Sequence, residues 1–227
     1  MDNRIDVLDH GHVRLVDHMG DDMSVVRSAR VSYDAVPRTG EDAGKDEKLI
    51  NYLMRNGHTS PFEAVTLTFD VKAPIFVFRQ WHRHRTWSFN EVSARYTELP
   101  AEFYIPAAEH LTTQASGNKQ MRSQDQVDDV KKALGLMIAQ NEMAFQTYKT
   151  LIHAGVAREL ARSVLPVATY SQMFATVNLH NLFRFLTLRL HEHAQYEIRV
   201  YADAMLKLIE PIVPVSVAAF RTNSPKE

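Results

Sequence analysis

Hydrophobic and polar positions alternate with period two along "AVTLTFDV", which places Val65, Leu67, Phe69 and Val71 on one face and predicts a half-buried strand. The opening stretch "IDVLDHGHVRLVD" alternates about Gly11 and predicts a β-hairpin, and "VATYSQMFATV" has the β-branched and aromatic content of another strand. Elsewhere the period lengthens. A helix is predicted over 23–32, and a second carries Leu49, Ile50, Leu53 and Met54 on one stripe before stopping at Gly57. Pro74 can open a helix that runs through "PIFVFRQWHRHR", with Arg79, Gln80 and Arg83 on a common face. Val130, Leu134, Met137, Phe145, Tyr148 and Ile152 mark a long amphipathic helix ending near Gly155, with that stripe in the core. "VARELARSVLP" adds a short helix closed before Pro166. Asn178 can cap a helix whose stripe is Leu179, Leu182, Phe183, Leu186 and Leu190.

Between these elements the pattern weakens. In "HTSPFE", Ser60, Pro61 and Glu63 have the spacing of a capping box, yet a strand follows at once, so Ser60 and Glu63 either close a turn or are free for other work. Residues 107–126 carry almost nothing to bury and read as a mobile excursion, not a domain boundary. A last helical pair surrounds Pro211, and 221–227 reads as a short tail. With no internal repeats, the expectation is one α+β domain spanning 1–227, a mainly antiparallel sheet packed with long helices.

Charge narrows the possible functions. The 26 basic and 27 acidic side chains nearly cancel, whereas a protein held on DNA by phosphate neutralisation carries a basic excess. No run of about 18 uncharged apolar residues occurs, and "MDNRIDVLDH" is polar and acidic, so neither a membrane segment nor an export signal is expected, and the cytoplasm is the expected location. The absence of cysteine removes disulfides, thiolate metal ligands and thiolate nucleophiles together.

The chemistry concentrates in "RHRTWSFNEVSARY", residues 83–96. No glycine pattern forms a phosphate loop, so a bound phosphate must be held by side chains or ordinary amides, and arginine's planar fork suits that task. Arg79, Arg83, Arg85 and Arg95 cluster in one segment, and Arg158, Arg162, Arg184 and Arg189 lie in later helices. Any one of these is most simply a solvated surface charge. Arg83, His84 and Arg85 abut, however, and would repel one another unless an anion or several carboxylates compensate. Three other readings compete. "HRH" at 82–84 and "HEH" at 191–193 resemble metal-binding pairs, although the surrounding arginines oppose a dication and residues two apart on a helix diverge. Ser88 and Ser93 lie in no nucleophile elbow. A nucleotide- or RNA-binding module would use Trp81, Trp87 and Tyr96 as stacking platforms.

The same residues resemble the signature of the flavin-dependent thymidylate synthases. Arg83, His84 and Arg85 are followed at the expected distance by Ser93, with Asn90 and Glu91 between them and Arg95 and Tyr96 closing the motif. Flanking stretches agree: "GHTSPFE", "FDVKAPIFVFRQW", "EFYIP", the run through 161–166, "TVN" and "HAQYEI". The resemblance covers most of the chain except 107–126 and the tail. It implies that FAD is reduced by NADPH, that methylenetetrahydrofolate supplies a one-carbon unit to dUMP, and that dTMP and tetrahydrofolate are released. It also implies a homotetramer with shared active sites, and neither a metal, a nucleic-acid partner nor a membrane.

Residue by residue, the resemblance implies FAD contacts at His58, Ser60, Arg83, His84, Arg85, Glu91, Asn178, His180 and Arg184. It implies dUMP contacts at Gln80, Arg83, Glu91, Val92, Ser93, Ala94, Arg95, Arg162 and Arg189. Ala94 is often glycine in the family, and a contact through its backbone N–H would tolerate the methyl group. The expected catalytic set is Arg189, Ser93 and His58: Arg189 as the cation favouring ionisation of the uracil N3, and Ser93 as a substrate-binding group, not a covalent nucleophile.

Overall fold

The computed structural model describes residues 3–223. Strands β1 (Arg4–Val7) and β2 (Gly11–Met19) form the predicted opening hairpin, with Val7 opposite Gly11. Gly11 is needed there because a Cβ would lie 2.0 Å from the Tyr201 hydroxyl and 2.7 Å from the Val7 carbonyl oxygen. Helix α1 (Asp22–Arg30) starts at a reciprocal Asp21–Ser24 cap, and α2 (Ala43–Arg55) ends before Gly57, whose φ of +66° suits a residue without a side chain. A 3-10 turn, Ser60–Ala64, leads to β3 (Thr66–Pro74), then α3 (Ile75–Trp81), β4 (Ser88–Glu91), β5 (Thr112–Gln114) and β6 (Arg122–Gln126). Helices α4 (Val130–His153) and α5 (Arg158–Ala161) precede β7 (Tyr170–Asn178). Helices α6 (Leu179–Arg189), α7 (Tyr196–Ile209) and α8 (Pro214–Asn223) complete the described chain.

The main sheet has five strands in the order β1-β2-β3-β7-β4, every pair antiparallel, which is the α+β architecture expected. Val65, just before β3, and Leu67, Phe69 and Val71 on one face of it are all fully buried with Trp81, Phe185 and Tyr201. A smaller cluster of Phe145, Tyr148 and Ala161, with Phe103 and Leu165 against it, joins α4 to α5.

Several expectations are corrected. Helix α3 stops at Trp81, and His82–His84 continue as tight turns closed by His84 N–H donating to the Trp81 carbonyl, 2.9 Å. Arg83 therefore does not share a helical face with Arg79 and Gln80. The chain must turn here because residues 88–91 return along β7 as strand β4, an element the pattern did not predict. The Ser60 turn makes no side-chain cap, so the capping-box spacing is coincidental. Residues 107–126, expected as an excursion within the domain, include the β5–β6 hairpin, which the sequence pattern did not predict and which Arg122 anchors on buried Glu197 at 2.6 Å. In α4 the buried positions lie only in the second half, at Asn141, Ala144, Phe145 and Tyr148, while Leu134 and Met137 are half-buried. Arg221, Thr222 and Asn223, expected in the tail, belong to α8, and the rest of that tail lies outside the described residues.

Candidate functional site

Strand β4 delivers the motif to one place. It pairs with β7 from Ser88 opposite Thr176 to Glu91 opposite Met173, and the Val92 N–H continues the ladder by donating to the Gln172 carbonyl at 2.9 Å. The following residues wall a cavity of about 370 Å³ together with the C-terminal half of α3 and the 3-10 turn Arg162–Val164. Glu91, Val92, Ser93, Ala94 and Arg162 line it, as expected residues, and Arg79, His82 and Ser171 join them. Ser171 donates to Glu91 Oε1 at 2.7 Å and aims that carboxylate. Strand alternation alone marks Ser171 as a core position, so its role was not legible. Ser93 Oγ accepts from the Arg95 N–H at 3.3 Å. Arg95 is paired with Glu159 at 3.2 Å, and Arg158 lies 3.7 Å from Glu98.

A second cleft of about 180 Å³ opens between the end of α2 and α6. His58, His180 and Arg184 stand over an apolar floor of Phe62, Phe183 and Phe220. Burial lowers the pKa of His180; Glu63 opposes this and Arg184 adds to it. Asn178 caps α6 as predicted, its side-chain oxygen accepting from the Asn181 N–H at 2.9 Å, which leaves its amide group to other partners. Ser60 is exposed on its 3-10 turn and lines neither concavity. The two concavities share no lining residue.

Gln80, His84 and Arg189 form a separate group. Arg189 Nε donates to His84 Nε2 at 3.1 Å, and its Nη2 donates to the Gln80 carbonyl at 3.2 Å. The His84 ring lies edge-on to Phe185 at 4.9 Å, and Phe185 stacks on Trp81 at 4.9 Å. Burial, then the charges of Arg189 and Arg184, push the His84 pKa down to about 4, so at neutral pH its Nε2 is a lone-pair acceptor. Arg83 and Arg85 are exposed on either side. A neutral histidine between two arginines relieves much of the repulsion that three adjacent cations would suffer. Of the three rings an RNA-binding reading would use as stacking platforms, Trp81 and Trp87 are buried in this aromatic cluster and Tyr96 is exposed.

Electrostatically the group has one marked feature. Among the described residues Arg79, Arg83, Arg85, Arg162, Arg184 and Arg189 have no carboxylate within ion-pair distance, whereas Arg95 and Arg158 do. Unpaired guanidinium groups beside imidazoles and an apolar floor form a donor set suited to phosphate-bearing aromatic ligands. Such a set fits a flavin dinucleotide, with His58, His180 and Arg184 as donors and the phenylalanine floor as an apolar surface.

Known proteins resemble this chain over most of its length. Residues 14–215 match the family described as thymidylate synthase complementing protein. A flavin-dependent thymidylate synthase from Treponema denticola is 47% identical over 225 residues, covering 98% of this chain and 84% of the relative. One from Thermus thermophilus is 50% identical over 219 residues, covering 96% and 78%. Among solved structures, a UMP/dUMP methylase, PolB, from Streptomyces cacaoi bound with 5-Br dUMP superimposes with a TM-score of 0.87 at 40% identity, covering 97% of this chain and 98% of that one.

Proposed function

The chain belongs to the thymidylate synthase complementing protein family, and from that premise we propose that it converts dUMP to dTMP with methylenetetrahydrofolate as one-carbon donor and NADPH as reductant. It is an enzyme, a flavin-dependent thymidylate synthase, and its cofactor is FAD. The atoms balance: the folate gives up its CH₂ and takes two protons on the nitrogens that held it, dUMP loses its C5 hydrogen as a proton, and a hydride from NADPH completes the methyl group, for a net uptake of one proton. When bound, FAD carries the hydride between NADPH and the one-carbon unit.

The protein's own residues bind, orient and polarise. In this reading Arg162, with Arg83 and Arg95, receives the dUMP phosphate, Glu91, Val92, Ser93 and Ala94 line its pocket, and Gln80 contacts the nucleotide from the neighbouring group. Arg95 must exchange its exposed bond to Glu159 for the ligand. Ser60, Arg83, His84, Arg85, Glu91 and Asn178 join His58, His180 and Arg184 in holding the flavin. Arg189 stands beside uracil N3. Burial lowers its pKa, yet arginine starts so high that it stays cationic and favours the ionised imide. Ser93 has no histidine within hydrogen-bond distance among the described residues, which supports a binding role over nucleophilic attack.

Two concavities without a common residue support a site completed by another subunit, as in a homotetramer. Exposed Leu136, Met143, Leu160, Val167 and Leu188 supply apolar surface for association, and sedimentation as a monomer would contradict it. No helix among the described residues is long and apolar enough to cross a membrane, and cytoplasmic action fits the substrates proposed.

The unpaired arginines carry the reading that the ligands are polyanions, and one experiment tests the whole. Purified protein is stripped of flavin and given NADPH, methylenetetrahydrofolate and dUMP or UMP anaerobically, with or without FAD. dTMP that depends on FAD is the expected result, with Ser93→Ala keeping measurable turnover. No dTMP from folded, flavin-loaded protein would refute it.

A further inference from the structure

The β5–β6 hairpin and the first turn of α7 are outside the positions assigned above, yet a chain of polar side chains runs from them to Gln80. Glu197 is 3% exposed and accepts three hydrogen bonds. Tyr104 donates to its Oε1 at 3.0 Å, and Arg122 and Gln195 donate to its Oε2 at 2.6 and 2.8 Å. Gln195 Oε1 in turn accepts from Gln80 Nε2. Gln80 is gripped at both ends, since its backbone carbonyl is the one that takes the Arg189 bond.

We propose that Gln195, oriented by Glu197, is a positioning residue that fixes which end of the Gln80 amide faces the nucleotide, and that Arg122 ties the β5–β6 hairpin to the site. This rests on the reading that Gln80 contacts dUMP. An ionised carboxylate only accepts, so Gln195 must turn its NH₂ toward Glu197 and its oxygen outward. That oxygen can meet only the NH₂ of Gln80; the flipped arrangement would set two oxygens face to face. The Gln80 side-chain oxygen is thereby left as an acceptor for an N–H or O–H of the nucleotide. Burial alone would raise the Glu197 pKa, but the bonds from Arg122 and Gln195 and the charge of Arg122 outweigh it and hold the group below its ordinary value, so the polarity of the relay persists at neutral pH. Placement in the first turn of α7 favours the anion further. Without the relay, Gln80 could rotate freely between two polarities, of which one repels the ligand's donor.

The test is a double-mutant cycle on FAD-loaded enzyme, read by equilibrium dUMP binding and by steady-state kinetics. Gln195 is solvent-exposed, so Gln195→Leu leaves the core intact, and Glu197→Gln provides a second probe. Each is expected to weaken dUMP binding about three- to tenfold, the effect of one misplaced hydrogen bond, and to raise KM while kcat changes less. In a Gln80→Ala background the same substitutions are expected to have little further effect. Equal weakening with and without Gln80, or no weakening where Gln80→Ala alone weakens binding, would overturn the relay. If Gln80→Ala itself leaves dUMP affinity unchanged, the nucleotide contact is wrong and the relay falls with it.

Discussion

His84 ties the stability of the protein to pH in a way that can be isolated. Protonating it in the folded chain places a cation beside Arg189 and Arg184 in a half-buried position, and its pKa falls from 6.5 to about 4. The unfolded chain takes up this proton near pH 6.5 and the folded chain only near pH 4. Between those values the unfolded state binds more protons, so the contribution is full above pH 6.5 and is lost as the pH drops toward 4. A fall of roughly two and a half units corresponds to about 3 kcal/mol. Solvent reaches half of the ring's surroundings, and screening reduces the expected value to about 1–2 kcal/mol.

His84→Gln removes the titration while keeping a side-chain oxygen that can accept from Arg189. Urea unfolding of both proteins at one fixed concentration, between pH 7 and pH 4.5, gives the comparison, since association would otherwise shift the midpoints. His12 and His180, whose pKa values are also lowered chiefly by burial, destabilise both proteins alike in this window and cancel. The wild type is expected to lose about 1–2 kcal/mol more than the variant on acidification. Parallel curves would mean that His84 titrates normally, and that the lone-pair acceptor role assigned to its Nε2 is wrong.

Gly11→Ala is expected to cost about 2 kcal/mol or more in thermal unfolding, because the new Cβ meets two backbone oxygens, of Val7 at 2.7 Å and Lys72 at 2.8 Å, that cannot step aside. Asn178→Ala should cost about 1 kcal/mol through loss of the α6 cap, while Asn178→Asp keeps the cap and should restore stability without necessarily restoring flavin affinity. Ser171→Ala frees Glu91 and should weaken the ligand that Glu91 serves about fivefold, measured by titration, with little change in melting temperature.

Where burial is one-sided, the sequence discloses structure. β3 and α6 show their periods because one face of each meets the core, and Gly57 and Asn178 mark ends because their backbone and side-chain chemistry acts locally. β4 was invisible for the opposite reason. Only Phe89 of its four residues is even partly buried, and the strand exists through pairing with β7, more than eighty positions away. The β5–β6 hairpin is likewise held by Arg122 on Glu197, a polar bond that leaves no hydrophobic pattern. The site divides in the same way. Clustering and resemblance pointed to the arginines, but which of them lack carboxylates depends on where the acidic side chains of other elements arrive.

The aromatic residues within the basic motif show why the distinction matters. Trp81 and Trp87 first suggested, with Tyr96, surfaces for bases to stack on, yet both tryptophans pack with Phe185 beneath the motif, and Phe89 stacks on Trp87. Their burial dries one side of His84, and that desolvation is the main cause of its low pKa. A neutral His84 in turn lets Arg83 and Arg85 stand beside it and gives Arg189 an acceptor that fixes its guanidinium. The hydrophobic half of the motif thus acts on the chemistry without touching a ligand: it sets the protonation state on which the placement of the cations depends.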